Sequence, residues 1–570
     1  MTAPMTNVAY GRVFEPPRPG AWEIDLTHFP RPATRYGSEF FIKSFMPGFA
    51  ESTKLYGLLL QGLDYIDVHG FMYSTRRAVG APESSSKPPS KAIFSLLTKF
   101  HPEIRRRLRR SKDVVANRAW IDDLRYWDEE VKPAAIREHL AIQRVSLDAL
   151  DNAALAQHIA KATVNANNAV YRHGRFSLTA YLPVGDYLAH AIEWTGEPLH
   201  VLLEPVKGFS DISNGIAATE LAALTAELRA APAVWQTLQQ CPPAEAIARL
   251  RTEPGRLGDA ARAWVEAVGY HIVTGYDLCD YTALEMPEML IGSIKATLKS
   301  SPQSSASPDG EATLARLRDK VPDVRRVLFV RLLADARETY RLREERDHFN
   351  DGWSTGLLRH ALLHAGRRLA DAGRIDDPEF LLDAGHAEVQ DILVRGGGPS
   401  NDDLRERTQW RRTTVATNVP QRLGFAKPPA LPKEWLPEHQ ARLVRALEVF
   451  LSGLFAPTAD TSTQEAIRGI PVSPGVYEGV ARVVLTPDQF SNVKQGDVLV
   501  ARSTSPYFNV LLPMLGAIVT DHGGALSHAA IVSREYGIPG VVGTKTATKT
   551  IKDGARVRVD GNAGDVRVTG

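Results

Sequence analysis

Cysteine is nearly absent: Cys241 and Cys279 are the two among 570 residues. Two thiols build neither a disulfide framework nor a zinc ligand set, so no metal site and a reducing compartment are expected. No apolar run approaches the roughly 18 residues that span a bilayer. Met1-Thr-Ala-Pro-Met-Thr-Asn7 lacks the basic-then-apolar order of an export signal. The expectation is a soluble, cytoplasmic protein with no membrane partner. Net charge is only +2, which gives no reason to invoke nucleic acid. A Gly-x-x-x-x-Gly-Lys-Ser/Thr phosphate loop is missing as well. Gly396-Gly-Gly-Pro-Ser400 has neither the lysine nor the following helix pattern of one. No repeat of solenoid period occurs.

What remains is an ordinary globular composition, 44% hydrophobic and 24% charged, long enough for two or more domains. Gly20-Ala-Trp-Glu-Ile-Asp-Leu-Thr-His-Phe-Pro-Arg-Pro32 reads as an extended segment because prolines bracket its end. It carries Trp22, Asp25 and His28, and a packing strap and the edge of a site are equal readings of it. Residues 36–76 are rich in aromatics, from Phe40 and Phe41 through Phe45, Phe49, Tyr56 and Tyr65 to Phe71 and Tyr73. Core packing and a pocket for a flat ring use the same residue types. Glu103-Ile-Arg-Arg-Arg-Leu-Arg-Arg-Ser-Lys112 is read as a solvated helix face or a docking surface for an acidic partner. From about 113 to 395 apolar residues recur at three- and four-residue spacing, which predicts helix almost throughout. Residues 300–310 read as a polar loop and 427–437 as a proline-stiffened linker. A helix is expected at about 438–453. A tether follows at 456–464, able to span on the order of 30 Å if extended.

Residues 465–570 change character to short strands and turns. The strand candidates are Val480–Leu485, Asp497–Ala501, Ala517–Thr520, Gly540–Val542, Arg556–Asp560 and Asp565–Val568. Ser505 with Pro506 reads as a helix start. Within this part, Gly516-Ala-Ile-Val-Thr520 runs into Asp521-His-Gly-Gly-Ala-Leu-Ser-His528. Gly523 and Gly524 permit a tight turn and close approach of a ligand to the backbone. Ser527 is a good N-cap, which places His528 in the first turn of a helix running to about Tyr536. Free N–H groups and the dipole at a helix start favour an anion and disfavour an imidazolium. A histidine that attacks phosphorus and then carries a phosphoryl group needs both effects. His522, ahead of the glycines, is read as a turn residue.

These residues resemble the phosphohistidine swivelling domain of phosphoenolpyruvate synthase, pyruvate phosphate dikinase and rifampin phosphotransferase. Gly-Gly, Ser-His-Ala-Ala-Ile-Val, Arg-Glu-Tyr-Gly-Ile-Pro and Val-Val-Gly fall in register over roughly 465–570. The resemblance implies that His528 accepts phosphate at a nucleotide site and delivers it elsewhere from the rim of its domain. Residues 20–425 resemble, more loosely, the helical acceptor-binding domain of rifampin phosphotransferase-like proteins. In Gly269-Tyr-His-Ile-Val-Thr-Gly-Tyr-Asp-Leu-Cys-Asp-Tyr-Thr-Ala-Leu-Glu-Met-Pro-Glu288, the order Gly269-Tyr270-His271 stands where Gly-His-Arg is usual. His271 is the substitute for that arginine, beside Asp277, Asp280, Tyr281 and Glu285. Arg343, Arg346 and Asp347 occupy adjoining helical positions, with Arg359 and His360 one loop later. An ion-pair network accounts for most of these charges.

The expected fold class is multidomain α + α/β. A mostly helical acceptor-binding domain (1–425) and a linker with helix (426–464) precede a compact β/α swivelling domain (465–570). Related single-chain enzymes place an ATP-grasp domain ahead of the acceptor domain. None is recognised here, so the resemblance implies a separate ATP-grasp partner holding ATP and Mg2+, with no cofactor bound permanently by this chain. The large subunits of phenylphosphate synthase and the 4-cresol-phosphorylating synthase have this layout. Transfer to a hydroxyl needs cations on the phosphoryl oxygens and a base for the proton. Arg343, Arg346 and Arg359 are the cation candidates. His271, His28 and Glu285 are the base candidates, with Asp25 and Tyr281 at the substrate. A phenol or alkylphenol suits the aromatic segment, and a larger antibiotic-like hydroxyl compound is the alternative acceptor. A non-enzymatic phosphohistidine carrier is the other reading.

Overall fold

The computed structural model describes residues 8–85, 87–207, 217–299, 308–455, 467–485, 487–504, 508 and 511–569. Of the loop expected at 300–310, residues 308–310 instead open helix Pro308–Lys320; its residues 300–307, the tether at 456–464 and the Ser505–Pro506 helix start lie outside the described residues. Helices dominate most of the chain, and sheet gathers near its C-terminus, so the class is multidomain α + α/β. The chain divides into two compact units that interleave in sequence. The first comprises Met1–Thr179, Gly275–Asp280 and Arg346–Val444. The second comprises Ala180–Thr274, Tyr281–Glu345 and Arg445–Gly570.

In the first unit, helix Arg35–Leu55 begins where Thr34 accepts a hydrogen bond from the Gly37 N–H. Asp277 braces that start, accepting from the Thr34 N–H and hydroxyl at 2.7 Å each. The helix packs on Asn152–Arg175, and glycines let the two backbones close. A Cβ on Gly48 would lie 2.2 Å from the Tyr171 carbonyl oxygen, and one on Gly174 would lie 2.7 Å from the Phe49 nitrogen. The aromatic segment also builds a four-stranded antiparallel sheet that helical periodicity does not announce. Its order is Leu60–Val68, Phe71–Ala78, Ala21–Ile24, Arg422–Gly424. His69 and Gly70 turn the hairpin with φ of 56° and 86°, as a two-residue turn between twisted strands requires. Trp22 is 1% exposed and packs with Phe14, Phe71 and Tyr73. The start of the Gly20–Pro32 segment is thus an inner strand of the sheet, between Phe71–Ala78 and Arg422–Gly424, with Asp25 and His28 just beyond its end.

In the second unit, an eight-stranded mixed sheet follows the order Ile467–Arg468, Asp565–Val568, Arg556–Asp560, Val476–Val484, Asp497–Ala501, Leu515–Thr520, Gly540–Val542, Ile470–Ser473. The strands from Val476–Val484 to Gly540–Val542 are parallel and the flanking pairs antiparallel. The two strands at 467–473 have no counterpart in the sequence reading. Successive side chains go to opposite faces. Leu499 and Ile518 enter one core with Leu188, Leu290 and Leu332 from helices, while Val498, Val500 and Val519 pack with Val557 and Val559 on the other face. Coverage of both faces explains why these strands are nearly continuous apolar runs. The Leu526 N–H donates to the Gly453 carbonyl at 2.8 Å, and a Cβ on Gly185 would lie 2.0 Å from the Ala446 carbonyl oxygen. Sheet and helices of this unit are therefore closely joined.

Candidate active site

The strand Leu515–Thr520 feeds the glycine turn. Gly523 has φ of 114° and a Cβ there would lie 2.7 Å from Ser527 Oγ, so the turn requires glycine. The Gly524 carbonyl accepts the Ser527 N–H at 2.9 Å. Ser527 then caps helix His528–Glu535 by accepting from the Ala530 N–H. Gly537, at φ of 63°, follows the C-cap Tyr536. His528 is thus the first residue of its helix. His522 is exposed, and its carbonyl accepts from the Thr520 hydroxyl at 2.8 Å.

His528 does not stand on an open rim. It is 7% exposed, because residues of the helical segment of the same unit cover it. The Glu344 carboxylate lies 3.3 Å from His528 Nδ1. Arg343 donates to the Leu526 carbonyl, two residues before His528, and has its own Nε 3.9 Å from Glu344. A carboxylate oxygen accepts, so this contact favours the ring tautomer with its hydrogen on Nδ1, which leaves Nε2 as the nitrogen turned away from Glu344. Arg534, one helical face further on, donates to the Val472 carbonyl at 3.2 Å. Burial pushes the Tyr340 phenol up, against the pull of Arg534 and Arg343. Glu344, Arg534 and Tyr340 are absent from the sequence candidates. Arg534 does lie in the stretch Arg534-Glu-Tyr-Gly537 that the resemblance singles out, and Glu344 directly follows the candidate Arg343.

The other candidates divide between the two units. His271, Tyr281, Glu285 and Arg343 belong to the second, and Asp25, His28, Arg346 and Arg359 to the first. His271 is 1% exposed, and its backbone carbonyl accepts from the Ala283 N–H. Glu285 closes a capping box, accepting from the Thr282 N–H and hydroxyl at 2.9 Å each. Tyr281 is 41% exposed, and its N–H donates to Thr274 Oγ1. No loop separates Asp347 from Arg359: a π-helical turn, Asp347–Asp351, leads directly into helix Gly352–Asp371. On that helix Arg359 is buried, donating to the Leu278 carbonyl at 2.7 Å and pairing with Glu379 at 3.3 Å. Arg346, also buried, donates to the His173 carbonyl at 2.9 Å and to Ser177 Oγ at 2.8 Å. His28 Nδ1 pairs with Asp25 at 2.9 Å, and Asp25 also accepts from the Tyr65 hydroxyl at 2.9 Å. Burial opposes ionisation of Asp25, but His28 and Tyr65 together lower it to about 2. Among the described residues no group of three or more His, Cys, Asp or Glu is placed to hold a metal ion. Among them, too, no helix is long and apolar enough to cross a membrane.

Comparison with known proteins adds two matches. Residues 493–564 match the mobile domain of PEP-utilising enzymes, and residues 184–344 match the fourth domain of rifampicin phosphotransferase. The first contains His528 and the second contains Arg343 and Glu344. An uncharacterized phosphotransferase, YvkC, of Bacillus subtilis is 33% identical over 227 residues, 40% of this chain and 25% of that protein. Rifampicin phosphotransferase of Bacillus cereus is 48% identical over 104 residues, 18% of this chain and 12% of that protein. Phosphoenolpyruvate synthase of Aeropyrum pernix is 52% identical over 101 residues, again 18% and 12%. The chain thus spans a quarter or less of the length of these relatives. The two matched segments lie on the two sides of the His528–Glu344 contact, and they are similar to parts of PEP-utilising enzymes and of rifampicin phosphotransferase.

Proposed function

We propose that this chain carries the phosphohistidine and the acceptor site of an ATP-dependent phosphotransferase working in the cytoplasm. One observation carries the reading: His528 opens a capped helix with the Glu344 carboxylate at its Nδ1. In the proposed cycle, an ATP-grasp partner holding ATP and Mg2+ phosphorylates His528 on Nε2; one water is consumed as the second phosphoanhydride bond is cleaved, and AMP and phosphate leave. The module then carries the group to the acceptor station. There the Nε2–P bond breaks as an O–P bond forms to the acceptor hydroxyl, and a base takes the hydroxyl proton. Glu344 favours the Nδ1-protonated ring, so the departing group is neutral imidazole rather than imidazolate. The burial of His528 corresponds, in this reading, to the delivering posture.

The acceptor we propose is a small aromatic hydroxyl compound, a phenol or alkylphenol such as cresol. A phenol has a pKa near 10, as tyrosine does, and needs only mild base assistance. The relative named rifampicin phosphotransferase favours a larger hydroxylated acceptor as the second reading. Incubating the chain with an ATP-grasp partner, ATP, Mg2+ and a panel of phenols tests the proposal by phosphorus NMR. Aryl phosphate made by wild type and not by His528→Ala is the expected result. Stable phosphoprotein that no hydroxyl compound discharges would leave only the carrier reading.

A further inference from the structure

The first unit holds a second cluster of titratable groups, outside both matched segments. Along helix Arg35–Leu55, Phe41, Phe45 and Phe49 fall four residues apart and stack. Ring centroids are 5.2 Å apart for Phe41 and Phe45 and 5.9 Å for Phe45 and Phe49, with interplanar angles of 9° and 18°. Tyr65 stands edge-on to Phe41 and Phe45 at 5.2 and 5.8 Å. Phe41 and Phe45 are only half-buried. Polar groups border this wall. Tyr65 reaches Asp25, which holds His28, and the Phe45 ring lies 6.3 Å from the His173 ring. His173 Nδ1 meets Asp351 Oδ1 at 2.8 Å, and the two side chains keep 21% and 20% exposure. Arg346 fixes the backbone here through the His173 carbonyl. A carboxylate-held imidazole beside an aromatic face open to solvent is more than a packed core needs.

Resting on phosphotransfer from His528, we infer that the Phe41–Phe45 wall binds the acceptor's aromatic ring and that His173, oriented by Asp351, takes the proton from its hydroxyl. The phenol O–H bond breaks and its proton passes to His173 Nε2. The oxygen so freed attacks phosphorus, and the bond from phosphorus to its carrier breaks as the O–P bond forms. His173 is the catalytic residue and Asp351 the positioning residue, holding the Nδ1–H tautomer. Arg346 and His28 supply the positive field for the developing phenolate. Flatness of the wall selects a ring, and the neighbouring dyad selects a ring that bears an ionisable hydroxyl.

The test needs no phosphorylated His528. The full chain is titrated with 4-nitrophenol, whose phenolate is seen by absorbance. Binding is expected to lower the apparent pKa of the probe by about one unit, a tenfold shift in ionisation. His173→Gln and Asp351→Asn should bind the probe within about twofold of wild type but lose that shift. Phe45→Leu, which keeps the helix packed, should weaken binding about fivefold or more. Probe that ionises when bound as it does in water overturns the base assignment. Wild-type affinity in Phe45→Leu overturns the ring site. Both readouts stand if His528 is never phosphorylated, so failure of the phosphotransfer reading and failure of this inference are told apart.

Discussion

Glu344 places a carboxylate 3.3 Å from Nδ1 of His528, with both side chains nearly enclosed, at 11% and 6% exposure. The two residues are 184 positions apart in the chain, so the contact exists only through the fold. In the proposed cycle it belongs to the delivering posture. Glu344→Gln should therefore slow discharge of phosphorylated His528 to an acceptor by about tenfold or more. Loading of His528 by the partner should stay within about twofold of wild type. Single-turnover measurements of the two half-reactions separate the steps, and equal slowing of both would contradict the assignment.

The buried pair Asp383–Arg411 holds the first unit together by charge. The two side chains are 4% and 5% exposed, with Arg411 Nη2 2.9 Å from Asp383 Oδ2. Burial raises the Asp383 carboxyl even though Arg411 pulls it down. Arg411→Met leaves that carboxylate without its counter-ion. The expected loss is about 3–5 kcal/mol in denaturant melts. A loss below about 1 kcal/mol would show that the pair contributes little.

His139 makes stability depend on pH. Its ring is buried, with Nε2 3.0 Å from the Phe349 carbonyl and Nδ1 3.0 Å from Asn165 Oδ1. Burial, aided by Arg172, lowers its pKa to about 4. A folded pKa below that of an unfolded histidine, about 6.5, means that the unfolded chain binds the proton first. This contribution is therefore present above about pH 6.5 and declines as pH falls toward 4, by at most about 3 kcal/mol. Melts of wild type and His139→Gln between pH 7 and 4 should differ in slope, the wild type falling more steeply.

Much of the second unit was legible because its local signals agree. Asp497–Ala501, Gly540–Val542, Arg556–Asp560 and Asp565–Val568 form strands at the residues read from the sequence. Each is a short apolar or alternating run closed by glycine or a charged turn. The Ser527 cap was legible for the same reason: serine ahead of a helical run after two glycines leaves little alternative. The sheet holding Trp22 was harder. Its strands at 21–24 and 422–424 are short, and they pair across some 400 positions, which no local window sees. Glu344 looked like one more charge in Arg-Leu-Arg-Glu-Glu-Arg, where solvated ion pairs are the ordinary outcome. Its neighbour Glu345 does form an ion pair, with Arg341 at 2.7 Å, but its side chain is only 7% exposed. Nothing in sequence separates the two glutamates.

The His173–Asp351 pair predicts a pH profile for delivery. Burial raises Asp351 to about 7, opposed by Arg346 and His28. Burial, then Arg346 and His28, hold His173 well below its ordinary value. The pair as a whole therefore takes up one proton near neutrality, in the presence of Arg346 and of His28 with its partner Asp25. The proton-free pair is the base. Discharge of phosphorylated His528 to a phenol should be level above about pH 8 and fall about tenfold per unit below 7. Asp351→Asn should abolish the inflection near 7. An unchanged profile in that variant would assign the proton to another group.

The most direct test is to find where phosphorus resides. The chain is incubated with ATP labelled at the transferred phosphoryl group, Mg2+ and an ATP-grasp partner, and the product is mapped by mass spectrometry and phosphorus NMR. The account predicts one acid-labile phosphoryl group per chain, on Nε2 of His528, absent from His528→Ala and discharged by a phenol. Label on any other residue, or aryl phosphate formed by His528→Ala, would contradict it.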